Sequence, residues 1–370
     1  MKKRVSRTGR GRVCVLPALL LSAVLCACGS NGAEQSQQPS QTAADIQYTW
    51  KPSEVLQSAG LTEGQSLTVL GGGDNQILAA IDTRYPEGHP YAREMGISSY
   101  STDLLMADLS DQSFQTVYTC PEDTIGRAGA IYNGGIVVAQ MLHTGESMFR
   151  YELVQISGQK QNSIYQGRCT DLSGLTVLSD RAVVHAYHDR EETLEQGVVV
   201  TSLDGTVLYH GRIPLGNALL EPLFCSDGTY FALCAHGTEG DTVLVGDADG
   251  LLHTFSLAPG EVVSEMAFLN QQLLLLVSGA EPNSQHRQLR SLEGELVAET
   301  RGSPLFHGAG AGHVVAGVAD GGIVLLHGEL QSQWIDEQTD YQQLLGLAPG
   351  RFFLYDRLSG MARVLQVAAP

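Results

Sequence analysis

Five stretches decide the fold: LLMADLSDQSFQTVY (104–118), YELVQISGQKQNSIY (151–165), VVVTSLDGTVLYHGR (198–212), VLVGDADGLLHTFSL (243–257) and RQLRSLEGELVAETR (287–301). Each is an alternating apolar run, a turn of two to four Asp, Ser, Glu or Gly residues, and a second alternating run. Residues that tolerate a left-handed backbone, flanked by period-two patterning, predict a β-hairpin. The turn positions Asp111, Gly158, Gly205, Gly250 and Gly294 are spaced 47, 47, 45 and 44 residues apart. A second strand pair precedes four of the hairpins, as in AGAIYNGGIVVAQML (128–142), LTVLSDRAVVHAY (175–187), LLEPLFCSDGTYFALC (219–234) and SEMAFLNQQLLLLVS (264–278).

Four short strands in about 45 residues, repeated, predict an all-β fold, a β-propeller. A β-sandwich would supply strands but no fixed period. Helical signals are confined to Pro52–Gly60 and Asp336–Tyr341. The stretch LFHGAGAGHVVAGVADGGIVLLHGELQSQWI (305–335) still holds four strands, with small glycine-rich inner ones. The last unit, YQQLLGLAPGRFFLYDRLSGMARVLQV (341–367), holds three, and IQYTW (46–50) would supply its fourth. Closure by both termini removes exposed sheet edges. The count is seven four-stranded blades at 65–119, 127–166, 174–212, 218–257, 263–300, 304–336 and 341–368 plus 46–50, with six or eight as alternatives because the boundaries after residue 300 are weak. Residues 46–368 thus resemble the TolB and WD40-like propeller repeats in architecture. The Gly-His and Trp-Asp dipeptides of a true WD40 repeat are absent, and the chain has just two tryptophans, Trp50 and Trp334.

The N-terminus carries an address. Residues 1–12 are basic, and VCVLPALLLSAVLCA (13–27) is apolar and ends in small residues. That pattern reads as a secretory signal peptide (1–27), too short for the roughly 20 residues of a spanning helix. Its exit, Leu25-Cys26-Ala27-Cys28-Gly29, resembles the bacterial lipobox, with a departure at Cys26. The resemblance implies a diacylglyceryl (palmitate-type) anchor on Cys28, which becomes the mature N-terminus of a lipoprotein held at a bacterial membrane. In a Gram-positive host this would be the outer face of the cell membrane. A cleaved secreted protein without lipid is the alternative. Residues 28–45, rich in Ser, Gln and Gly, read as a flexible tether reaching roughly 20–24 Å, and 46–370 as the propeller domain. Cys120, Cys169, Cys225 and Cys234 remain; export permits disulfides, yet small buried residues are the expectation for most of them.

Formal net charge is −18. Six basic residues precede position 13 and no acid precedes Glu34, so the remainder sets sixteen basic residues against forty acidic ones. Such a surface repels phosphate backbones, which excludes nucleic acid as a partner.

In a propeller the second-to-third-strand loops and the blade links gather on one face, the usual ligand site. The longest such loop, DTRYPEGHPYAREMGISSY (82–100), carries Arg84, Tyr85, His89, Tyr91, Arg93 and Tyr100. Tyrosine and arginine bury area while keeping a polar tip, which suits binding; the same residues also suit an insertion packed on the rim. The loop recurs as His143-Thr-Gly-Glu146, His188-Asp-Arg-Glu191 and His236-Gly-Thr-Glu239. These could hold cations or protonate ligands, or could be a turn inherited by duplication. Equivalent loops lie too far apart to share one ion. Gly246–Gly250 lacks the later ligands of a calcium loop, and Gly71-Gly72-Gly73 precedes no helix. No catalytic motif, cofactor or metal site is predicted. The expected function is a monomeric, membrane-anchored, non-catalytic extracytoplasmic lipoprotein whose propeller binds a protein or glycan. The rival is a carboxylate-dependent glycan hydrolase or lyase.

Overall fold

The computed structural model describes residues 46–90, 100–122, 124–143, 149–216, 220–279, 284–301, 306–319, 322–336, 343–357 and 359–369. They form seven four-stranded antiparallel sheets arranged as the blades of a propeller. β1 (Tyr48–Ser53) comes first in the chain and belongs to the last blade. Blade 1 is β2 (Gln65–Gly73), β3 (Gln76–Arg84), β4 (Tyr100–Asp108) and β5 (Ser113–Thr119). Blade 2 is β6 (Thr124–Tyr132), β7 (Gly135–His143), β8 (Phe149–Ser157) and β9 (Lys160–Cys169). Blade 3 is β10 (Asp171–Leu178), β11 (Ala182–Asp189), β12 (Glu195–Ser202) and β13 (Val207–Pro214). Blade 4 is β14 (Leu223–Ser226), β15 (Phe231–His236), β16 (Asp241–Asp247) and β17 (Gly250–Ser256). Blade 5 is β18 (Val262–Leu269), β19 (Gln272–Ser278), β20 (His286–Arg290) and β21 (Leu296–Arg301). Blade 6 is β22 (Phe306–Ala311), β23 (Val314–Ala319), β24 (Gly322–His327) and β25 (Gln331–Asp336). β26 (Gln343–Ala348), β27 (Arg351–Tyr355) and β28 (Ala362–Val367) complete blade 7, with β1 paired antiparallel to β28 as its outermost strand.

The seven blades and their closure agree with the sequence reading; β1 lies two to three residues later than the stretch 46–50. The hairpin turns are where the spacing puts them, between the third and fourth strands. Gly158, Gly205, Gly250 and Gly294 there have φ of 57°, 93°, 134° and 93°, a region that side chains with a Cβ avoid. Of the two helical signals, Pro52–Gly60 contains a single 3₁₀ turn, Gln57–Ala59, after β1 has taken its first two residues. Asp336 instead ends β25, and 337–341 lie outside the described residues. No helix among the described residues is long and apolar enough to cross a membrane.

The core is divided into seven apolar clusters, one in each gap between neighbouring blades. Strand alternation feeds two gaps at once: Val183 and Tyr187 of β11 face blade 2, while Val184 and Ala186 face blade 4. Such strands are buried on both sides, which explains runs such as LLLLV in β19. The ring is tied where the termini meet, because the Gln333 side chain accepts from Ile46 N–H at 2.8 Å and donates back to its carbonyl at 3.3 Å.

Candidate functional site

Chemistry concentrates on the face carrying the second-to-third-strand loops. In β6 an extra residue, Arg127, is inserted between Gly126 and Ala128 relative to β7. A bulge re-aims its side chain. The Arg127 guanidinium donates through Nε and Nη2 to both oxygens of Asp171 at 3.3 Å, joining blade 2 to blade 3. Both partners are partly exposed, so the pair contributes at most about 1 kcal/mol. Asp82, at the end of β3, accepts from the Thr102 hydroxyl. Burial raises the Asp82 pKa, against the opposing pull of Thr102 and Arg127. Next along the ring, Arg190 pairs with Glu221 at 3.5 Å.

Asp189 organises the blade 3 loop. Its Oδ1 accepts the Glu191 and Glu192 N–H groups at 3.0 and 3.1 Å, and its Oδ2 accepts the Thr193 N–H and hydroxyl at 2.7 Å each. Burial opposes ionisation of Asp189, but these donors outweigh it and hold the carboxyl below its ordinary range. The loop is therefore wrapped around an anion already spoken for.

Blade 4 carries a buried group of three donors, of which only His236 was expected as a site residue. Cys234, His236 and Asp241 place one donor atom each within 4.8 Å of one another. The Asp241 carboxylate bonds His236 Nδ1 at 2.9 Å and accepts the Val263 N–H of blade 5 at 2.6 Å. Those bonds commit both oxygens to locking blade 4 against blade 5. The three donors are of types that bind zinc, one short of the four ligands of a structural site. The signal was a Cys and a His two apart on one strand face, with an Asp opening the paired strand.

The predicted residues are dispersed. Arg84 ends β3 opposite Tyr100, and Tyr100 packs on the apolar cluster between blades 2 and 3. Tyr85 and His89 do come together: their rings stack with centroids 3.9 Å apart and planes 3° from parallel. The turn that aligns them is closed by the His89 N–H donating to the Pro86 carbonyl at 3.1 Å. Tyr91, Arg93 and Glu146 lie outside the described residues, as does Cys28; His143 ends β7, with its side chain likewise undescribed. His188 and His236 are buried facing the next blade, with Ser173 and Asp241 as their partners, whereas Glu191 and Glu239 are exposed at the loop tips. In neither repeat do the histidine and the glutamate form one site. The strand directs the first residue inward while the turn carries the fourth outward.

A cavity of about 850 Å³ runs along the innermost strands. Its wall is largely glycine, alanine and leucine, with Phe224 and Met266, and it includes the carboxylates Asp227 and Glu265. Residues of the first-to-second-strand turns of blades 4 to 7, such as Thr229, Gln271, His313 and Pro349, reach it. Its lining includes none of the predicted loop residues. The four described cysteines are unbridged: Cys225 pairs with Ala232 and Cys234 with Leu223, so these two thiols are diagonal across the hairpin. Burial pushes the thiols of all four up, which leaves them inert.

Neither a family model nor a curated protein matches the sequence. Solved structures do match the fold. The β-propeller domain of the trilobed protease from Pyrococcus furiosus, described as having an open velcro topology, aligns with a TM-score of 0.53 at 8% identity, over 80% of this chain and 90% of that one. The Pyrococcus horikoshii acylaminoacyl peptidase aligns with a TM-score of 0.53 at 10% identity, over 83% of this chain and 53% of that one, so the match spans about half of the peptidase. KlAtg21, solved in complex with a coiled-coil of AgAtg16, aligns with a TM-score of 0.51 at 8% identity over 78% of this chain and 91% of that one. At such identities the likeness is one of fold: this chain is built as a seven-bladed β-propeller.

Proposed function

We propose that the protein is a lipid-anchored extracytoplasmic binding propeller, held at a bacterial membrane through Cys28, which takes a protein or glycan on its loop face. The observation that carries this reading is the Tyr85–His89 ring stack, which follows Arg84 in the chain, on the longest second-to-third-strand loop. A paired aromatic surface suits sugar rings and peptide side chains, burying area with few rotors to freeze. On the same face, Arg127 pairs with Asp171 and Arg190 with Glu221, so these charges engage each other across blades 2, 3 and 4. Asp227 and Glu265, both on the cavity wall, are the carboxylates that a second reading, a glycan hydrolase or lyase, would use.

Anchoring is tested by Cys28→Ala in the full chain. Fractionation should move the protein from membranes to the soluble fraction, or leave an unprocessed precursor; a variant that is processed and still membrane-bound would refute the anchor. The loop face is tested by screening cell-wall and dietary glycans for binding and turnover, and by crosslinking in the cells that make the protein. Loss of the captured ligand in Tyr85→Ala and His89→Ala supports the binding reading. Turnover that vanishes in Asp227→Asn or Glu265→Gln would replace it with the enzymatic one.

A further inference from the structure

Blades 3, 4 and 5 share a feature at their outer edges, on the rim where third and fourth strands turn. In each, near the start of the outermost strand, an apolar residue paired to the third strand is followed by an apolar residue inserted as a bulge. Val207 pairs with Thr201 and Leu208 is the extra residue; Leu251 pairs with Gly246 and Leu252 is extra; Leu296 pairs with Arg290 and Val297 is extra. All six are between 37% and 52% exposed, and they are half of the twelve exposed large apolar side chains among the described residues. Blade 2 differs: its bulge falls later, at Ile164, which is buried, and the residues that follow its turn, Lys160-Gln161-Asn162-Ser163, are exposed and polar. The three pairs are linked along the rim. The Gly250 turn rests on Tyr209 of the preceding blade, and the Gly294 turn rests on Phe255.

Exposed acids punctuate this strip: Asp204, Asp249, Glu293 and Glu295. The nearby basic side chains are Arg181, paired with Asp249 at 3.0 Å, Arg290, which donates to the Gly294 carbonyl at 2.7 Å and lies over the Phe255 ring, and His253, 3.8 Å from Glu293. An acidic, apolar strip repels anionic lipid headgroups and a second copy of itself. It complements a segment that alternates large apolar side chains with Lys or Arg. We infer that the turn-side rim of blades 3 to 5 is a docking surface for a basic, amphipathic segment of a partner protein. This surface is separate from the loop face, so the two readings stand or fall independently.

The test places a photoreactive amino acid at Leu208, Leu252 or Val297 of the full chain, with Gln161 as the blade 2 control, in the cells that make the protein. All three rim positions should capture the same protein at about ten times the control yield, a difference of about 1.4 kcal/mol in preference. The crosslinked peptide should carry Lys or Arg interleaved with Leu, Val, Ile or Phe. Glu295→Gln should lower the yield at Val297 while leaving the circular dichroism unchanged. Adducts to lipid, to a second copy of this chain or to a segment without basic residues would overturn the inference. So would yields no greater than at Gln161.

Discussion

The innermost and outermost strands meet opposite packing problems. Near the axis the blades converge until backbones touch: a Cβ on Gly310 would lie 2.1 Å from the Phe268 carbonyl oxygen of blade 5, and one on Gly346 2.3 Å from the Gly310 oxygen. At the perimeter the blades diverge, and Leu208, Leu252 and Val297 remain nearly half exposed. The same wedge geometry therefore selects glycine inside and leaves side-chain choice free outside. A glycine on the inner wall reports the fold. An apolar residue on the outer strand is not demanded by it, and is the better place to look for function.

The sharpest way to break this comparison is to put bulk on the inner wall. Gly310→Val forces its side chain against a backbone oxygen that belongs to the neighbouring blade. Overpacking of this kind costs 1–3 kcal/mol where side chains can give; backbone cannot, so a loss of about 3 kcal/mol or more is expected, measured as a fall in the urea midpoint. An unchanged midpoint would mean that blades 5 and 6 are not in backbone contact.

A middle-sized effect tests the second strands, halfway along the wedge. His185 on β11 is fully buried, with Tyr151 Oη 2.9 Å from Nε2 and no hydrogen-bond partner on Nδ1. Burial pulls its pKa down to about 3, and burial lowers those of His188 and His210 as well. The unfolded chain protonates these groups near pH 6.5 while the folded one keeps them neutral. Stability is thus full above pH 6.5 and is lost as the pH falls toward the folded pKa. His185 by itself should cost about 2 kcal/mol at pH 5. Denaturation at pH 7 and pH 5 should show that drop, and His185→Phe should shrink it. Parallel pH profiles for the two proteins would remove His185 from the account.

How much of this was legible in the sequence follows from which signals are local. The hairpin turns were, because a two-residue turn with positive φ restricts its own composition, as at Gly158 and Gly205. The closure by β1 was legible because the last unit was a strand short. The glycine-rich inner stretch of the sixth unit had weak boundaries in the sequence, yet its residues Phe306–Ala311 are β22, on the crowded side of the ring. The site was less legible. His-x-x-Glu reads as one motif along the chain, but His188 and His236 turn toward the next blade while their glutamates go to solvent. His236 and Asp241 share one hairpin and had a local signal, but the bond from Val263 to Asp241 joins two blades, and no spacing rule announces it. Bulges were equally hidden: one inserted residue in an apolar run leaves the pattern readable while exposing Leu252.

The smallest effect is expected at the perimeter, and it decides whether the comparison holds. Replacing Leu208, Leu252 and Val297 together by serine removes side chains that the folded chain leaves 44–47% exposed. The change deletes no buried contact of the kind that Leu275 makes in the blade 4–5 cluster, so each substitution should shift stability by no more than about 0.5 kcal/mol. A core Leu→Ala replacement, by contrast, costs about 2–5 kcal/mol. The triple variant should also aggregate less at high concentration, since apolar outer strands are edges open to pairing. The measurements are a urea titration and light scattering against the parent chain. A loss above about 2 kcal/mol would mean that these side chains are holding the blades together. The outer rim would then be part of the fold, under the same packing constraint as the inner wall, and its apolar residues would carry no message about a partner.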